Sequence, residues 1–199
     1  MSERDLGRIA AFTDGVMAVA ITLLVLNIEV PKLAPGEDLG SALVDLLPSF
    51  GAYILAFALI GRFWVIHHNL FESLRGFDGT LMVLNLVYLA LIVLVPFSAE
   101  LYDEYTARAL AVAVLGATLG LAAFVNWLMT MHVLRVGFVH EDHRARAAEA
   151  ARVGGGLWVL FLISVPAAFL SVHLAEALWI ATIVGRYPLR RLGGRASSR

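Results

Sequence analysis

The sequence contains no cysteine, which excludes disulfides, thiolate nucleophiles and Cys-ligated zinc or iron–sulfur clusters. It is also short of charge: 16% of its 199 residues are Asp, Glu, Lys or Arg, against 60% hydrophobic residues. A net charge of -1 gives no whole-chain basis for binding nucleic acid. Nucleotide motifs are missing as well. The glycines Gly154, Gly155 and Gly156 have no P-loop residues around them and mark the start of an apolar segment, not a phosphate cradle. What the chain has instead is apolar length. Its mean hydropathy is +0.81, more apolar surface than one soluble core of this size can bury, so lipid must cover part of it. A cleaved signal peptide is not expected, because Glu3 and Asp5 sit in the N-terminal region and no A-x-A site follows the first apolar run. The chain is an integral membrane protein of the all-α class.

Six spans follow from the apolar runs: 12–30, 46–66, 80–99, 107–131, 156–172 and 174–187. Crossing a hydrocarbon core of about 30 Å takes roughly 20 residues. The last run is short and carries Glu176 near its start, so an amphipathic helix lying at the interface is its alternative. Residues 1–189 are expected to form the six-span domain. Residues 190–199, basic and Gly/Ser-rich, are expected to be a disordered cytoplasmic tail near anionic headgroups. The mixed-charge, Ala-rich stretch 135–152 is expected to extend the fourth span as a helix.

Charge sets the orientation. With both termini in the cytoplasm, 13 of the 15 basic residues fall on the inner side, leaving only Lys32 and Arg108 outside, as the positive-inside rule requires. An odd number of spans would put the basic tail on the wrong side. The outer loops carry Glu29, Glu37, Asp38, Asp45, Glu100, Asp103, Glu104 and Glu176; this acidic rim either concentrates cations or is plain solvated loop. His132, His140 and His143 are read as ordinary surface histidines, with sensing of internal pH as the alternative.

The first span is the informative one. Arg8 and Asp14 lie at its mouth, where ionisable groups are costly unless they meet protein partners or water. Six residues apart, they occupy different helix faces and cannot pair with each other. Val19, Leu23 and Leu26 follow i, i+4, i+7 spacing and form one stripe, with Thr22 alongside. Such a stripe is more often a packing or lipid-facing surface than a pore lining. Gly15, Ala18 and Ala20 would let neighbouring helices approach closely. Donors for Asp14 are available at the same depth: Trp64, His67, His68 and Asn69 at the inner end of the second span, and Asn85 in the third. Adjacent histidines point about 100° apart on a helix, so His67 and His68 cannot hold one metal from one face; no metal or other cofactor is expected.

Arg8, Phe12, Thr13 and Asp14 match an R-x-x-x-F-S-D signature, with Thr13 in place of Ser. Together with F-W-V-I-H-H in the second span and the segment from Asn85 to Val95-Pro96-Phe97, they resemble the transmembrane protein 175 family of endolysosomal and prokaryotic potassium channels. The resemblance covers nearly the whole chain. It implies a homotetramer in the plasma (inner) membrane, its pore lined by four copies of the first helix and constricted by rings of apolar side chains. Carried over, the rings are Val19, Leu23 and Leu26, with Thr22 as a hydroxyl layer; Val19 stands where a larger residue is common. Arg8, Phe12, Thr13, Asp14, Trp64, His68 and Asn85 become a network holding the pore helix. The implied function is passive conduction of K⁺, the permeant ion, with membrane lipids and further copies of the chain as partners. No T-V-G-Y-G segment is present, so a carbonyl-lined filter is excluded and gating falls to dewetting of the apolar rings.

Three rivals remain on sequence grounds. A coupled secondary transporter could use Asp14 and the histidines, but no convincing inverted repeat relates the two halves. A membrane enzyme would use the same groups as acid and base, but no further mid-membrane carboxylate extends a relay, so an enzyme is not expected. A structural scaffold is the third.

Overall fold

The computed structural model describes residues 3–105 and 108–184, with the side chains of residues 3, 4, 183 and 184 left aside. The described residues run through seven α-helices: α1 (Glu3–Leu23), α2 (Leu39–Asp45), α3 (Leu47–Glu72), α4 (Gly79–Glu104), α5 (Ala109–Val136), α6 (Glu141–Leu170) and α7 (Val172–Val184). A 3-10 turn, Leu24–Asn27, continues α1. Five of these helices, with Asp5–Asn27 as the first, are long and apolar enough to cross a membrane. The expected tail, 190–199, lies outside the described residues, as do the beginning of the fourth expected span and the end of the sixth.

Local chemistry sets the helix ends. Asp38 and Asp78 are N-caps, their carboxylates accepting from Ser41 N at 2.9 Å and Leu81 N at 2.8 Å, which satisfies backbone donors that a first turn leaves without partners. Pro48 sits in the first turn of α3, where its missing N–H costs nothing. Pro96 and Pro166 lie inside α4 and α6 without ending them. Gly137, at φ 73°, closes α5 in the left-handed conformation that favours glycine.

That glycine corrects one expectation. The charged stretch 135–152 does not prolong the fourth span: α5 stops at Val136, and residues 141–152 form the N-terminal turns of α6. The two loops on this side are laced together. Arg75 N donates to Phe138 O at 2.8 Å, His140 N to Ser73 O at 3.0 Å and Arg75 Nε to Gly137 O at 2.9 Å. His132 reaches Asp78 at 2.9 and 3.1 Å, tying the end of α5 to the start of α4.

The core is centred on α5, which packs on α4 and α6. Small residues make this possible: a Cβ at Gly116 would lie 2.6 Å from Ser164 Oγ, and one at Gly120 2.7 Å from Leu162 Cδ2. α7 folds back on α6 with Ala175, Trp179 and Thr182 buried, and Trp179 Nε1 donates to Ser164 Oγ at 2.9 Å. α1 rests in the groove between α3 and α4, buried along one face only.

Candidate functional site: the first helix and its anchors

α1 divides sharply into two faces. Thr13, Met17, Ala20 and Leu24 are buried, following the three- and four-residue steps of a helix face. The opposite face carries the expected stripe: Val19 is 57% exposed, Leu23 38% and Leu26 71%, with Gly15, Ala18 and Thr22 exposed among them. The 3-10 turn keeps the stripe in line. Three residues per turn place Leu26 directly over Leu23, about 6 Å further along, while Val19 lies about 6 Å before Leu23 on the α-helical part. Thr22 Oγ1 donates back to Val19 O at 2.8 Å. Its proton is thereby committed to the helix, and the oxygen presents lone pairs outward, an acceptor suited to a cation.

The buried face is held by a polar chain through three helices. Asn85 Nδ2 on α4 donates to Thr13 Oγ1 at 2.9 Å, and Asn85 Oδ1 lies 2.9 Å from His67 Nε2 on α3. With the amide oriented in this way its oxygen is the acceptor, so His67 carries its proton on Nε2. All three residues are at most 2% exposed. The imidazole is clamped between Phe71, with ring centroids 4.2 Å apart, and Tyr88, at 5.0 Å; Tyr88 OH donates to Phe63 O at 3.2 Å. A second anchor is nearer the surface, where Trp64 Nε1 donates to Asp14 Oδ1 at 2.9 Å. At the far end of the helix, Asn27 Nδ2 donates to Pro96 O at 3.0 Å.

The residues expected to form one network therefore separate. Thr13 and Asn85 are brought together, and Asp14 meets Trp64. His68 is not part of the buried chain: one step around the helix from His67, it faces outward, stacks on Trp64 at 5.2 Å and pairs with Glu72 at 3.3 Å. Arg8 is exposed, and Phe12 is 55% exposed, both away from the packed face of α1. The buried partner of Asn85 is thus His67 where His68 was expected, and Tyr88 and Asn27 add contacts that were not expected. Tyr88 lies three residues after Asn85, on the same helix face, which was the available signal.

A family model described as endosomal/lysosomal potassium channel TMEM175 matches residues 8–96, the stretch from α1 into α4 that contains both anchors. A potassium channel of Streptomyces collinus is 37% identical over 177 residues, covering 86% of this chain and 86% of that protein. The chain belongs to the TMEM175 family. Another TMEM175 relative, a potassium channel of Chamaesiphon minutus, is 36% identical over 189 residues, 89% of this chain and 93% of that one. The crystal structure of a lysosomal potassium-selective channel TMEM175 homolog from Chamaesiphon minutus matches with a TM-score of 0.82 at 30% identity, over 92% of this chain and 96% of that chain.

Proposed function

We propose that this TMEM175 protein is a potassium-permeable cation channel, not an enzyme. Four copies stand around a central axis in the bacterial inner membrane, with both termini cytoplasmic and α7 completing a sixth crossing. The observation that carries the reading is the two-faced first helix. Its apolar stripe of Val19, Leu23 and Leu26 is uncovered within one chain, although the same helix is pinned to α4 by the buried Asn85–Thr13 hydrogen bond and to α3 by the Trp64–Asp14 bond, which fix its rotation. Family membership and the potassium-channel relatives support placing that stripe on the axis.

In this arrangement the three apolar residues make rings spaced by about one helical turn. A narrow ring of this kind empties of water and blocks ions; slight widening readmits water and lets cations pass. Thr22, between the rings, offers oxygens that replace part of the hydration shell. Arg8 and Phe12, exposed on one chain, are then available to a neighbouring copy. No cofactor is required, and K⁺ is the permeant species.

Purified protein in planar bilayers under opposed K⁺ and Na⁺ gradients tests this. Discrete openings with a reversal potential shifted toward that of K⁺ are expected, and Leu23→Ala or Leu26→Ala should raise the leak and weaken selectivity. Saturable exchange without discrete openings, or currents unchanged in both variants, would overturn the reading.

A further inference from the structure

The last turn of the first helix is wound differently from the rest. Leu24–Asn27 is a 3-10 turn, closed by Ile28 N donating to Val25 O, three residues back, at 3.2 Å. Nothing in its sequence, L-V-L-N, demands that winding. It contains neither proline nor glycine, and leucine is among the strong α-helix formers, whereas 3-10 hydrogen bonds are poorer in geometry than α-helical ones. Tertiary contacts at its two ends supply the reason. Leu24, which begins the turn, is 1% exposed and seated in the core. Asn27, which ends it, donates from Nδ2 to Pro96 O of α4 at 3.0 Å. A carbonyl can only accept, so the orientation of the amide is fixed. A carbonyl also has two lone pairs, and α4 runs unbroken past this contact from Gly79 to Glu104.

The two ends together set the pitch of the turn. Three 3-10 steps bring Leu26 back over Leu23, whereas three α-helical steps would leave it about 60° round the helix and about 1.5 Å nearer along the axis. The same rewinding, counted from Leu24, would carry Asn27 about 60° away from Pro96. The hydrogen bond and the alignment of Leu26 therefore stand or fall together. Leu26 has little packing of its own to hold it, being 71% exposed.

We infer that Asn27 is a positioning residue for the outermost apolar ring: its hydrogen bond to Pro96 O keeps Leu24–Asn27 in the 3-10 form and so keeps Leu26 in line with Leu23. The inference rests on the reading of Val19, Leu23 and Leu26 as pore-lining. It is tested on the full chain reconstituted in bilayers, with Asn27→Leu, which removes the donor, and Asn27→Asp, which keeps the size but turns an oxygen toward the carbonyl; either variant suffices if the other does not fold. Backbone chemical shifts of Leu24–Asn27 from solid-state NMR distinguish the two windings without reference to current, and should move from 3-10 toward α-helical values. In the otherwise cysteine-free chain, the reaction of Leu26→Cys with a neutral, water-soluble thiol reagent should slow about fivefold when the Asn27 donor is removed, the order expected for one lost hydrogen bond. Leu23→Cys should keep its rate, whereas a general loosening of the helix would change both alike. The leak caused by Asn27→Leu should not grow when Leu26→Ala is added, because both act through the same side chain. Shifts that remain 3-10 in both variants, or equal changes of rate at positions 23 and 26, overturn the role of Asn27. Silence of Leu23→Cys in the parent background would instead remove the pore reading, and with it any part for Asn27 in conduction.

Discussion

Thr13 carries the one side-chain hydrogen bond that fastens the buried face of α1 to Asn85. Replacing its hydroxyl by a methyl in Thr13→Val keeps the shape but leaves Asn85 Nδ2 facing an apolar group at 1% exposure. The expected cost is about 1–3 kcal/mol, read as a lowered midpoint of thermal unfolding in detergent. His68→Ala is the contrast. Its partner Glu72 and the imidazole are 44% and 42% exposed, so the change should stay within about 0.5 kcal/mol. A larger loss for His68→Ala than for Thr13→Val would reverse the roles given to these positions. The pair also shows where the sequence stopped being informative. Depth could be read, because His67, His68, Trp64 and Asn85 all sit near the inner ends of their spans. Rotation could not: neighbours on a helix face about 100° apart, and the choice between them is made by where Phe71 and Tyr88 pack, which no local pattern announces.

Among the elements, the start of α4 is tied to the end of α5 by His132 on Asp78. Asp78 lies just outside the spanning part of α4. The hydrogen bond it accepts from Leu81 N–H holds its carboxyl below its ordinary pKa of 3.8; desolvation opposes this, and His132 beside it adds to the lowering. A depressed folded pKa means that the cap stabilises fully above that ordinary value and is lost as pH falls through the lower one. Asp78→Asn keeps an acceptor for Leu81 but removes the charge. It should unfold more readily than the parent at pH 7, and the difference should shrink once the pH drops below about 4. A difference that persists unchanged in acid would assign the loss to shape and not to charge. The N-cap at Asp78 is legible, since an Asp before Gly-Thr and an apolar run is a helix-start signal. The charged stretch before Gly154 was assigned to the wrong helix because its Ala-rich composition suits either neighbour. Gly137 breaks the tie, and a single glycine near the end of a long apolar run is a weak stop signal until its positive φ is seen.

For the whole molecule, the decisive question is what covers the outer face of α1. An apolar stripe turned to lipid and an apolar stripe turned to a symmetry axis have the same composition, so periodicity identified Val19, Leu23 and Leu26 without deciding between the two. The structure adds that the stripe is excluded from the packing of its own chain, and the family supplies the expectation of four copies. The absence of cysteine makes the remaining step direct, because any introduced thiol is the only one present. Single cysteines at positions 19, 23 and 26 should react with a water-soluble, cation-sized thiol reagent applied to the reconstituted protein, and the reaction should reduce K⁺ current. Cysteines at Met17, Ala20 and Leu24, turned into the core, should react far more slowly. If the outward positions were instead silent to the reagent and quenched by brominated acyl chains, the stripe would face lipid, and the pore would have to be sought on another helix of the same fold.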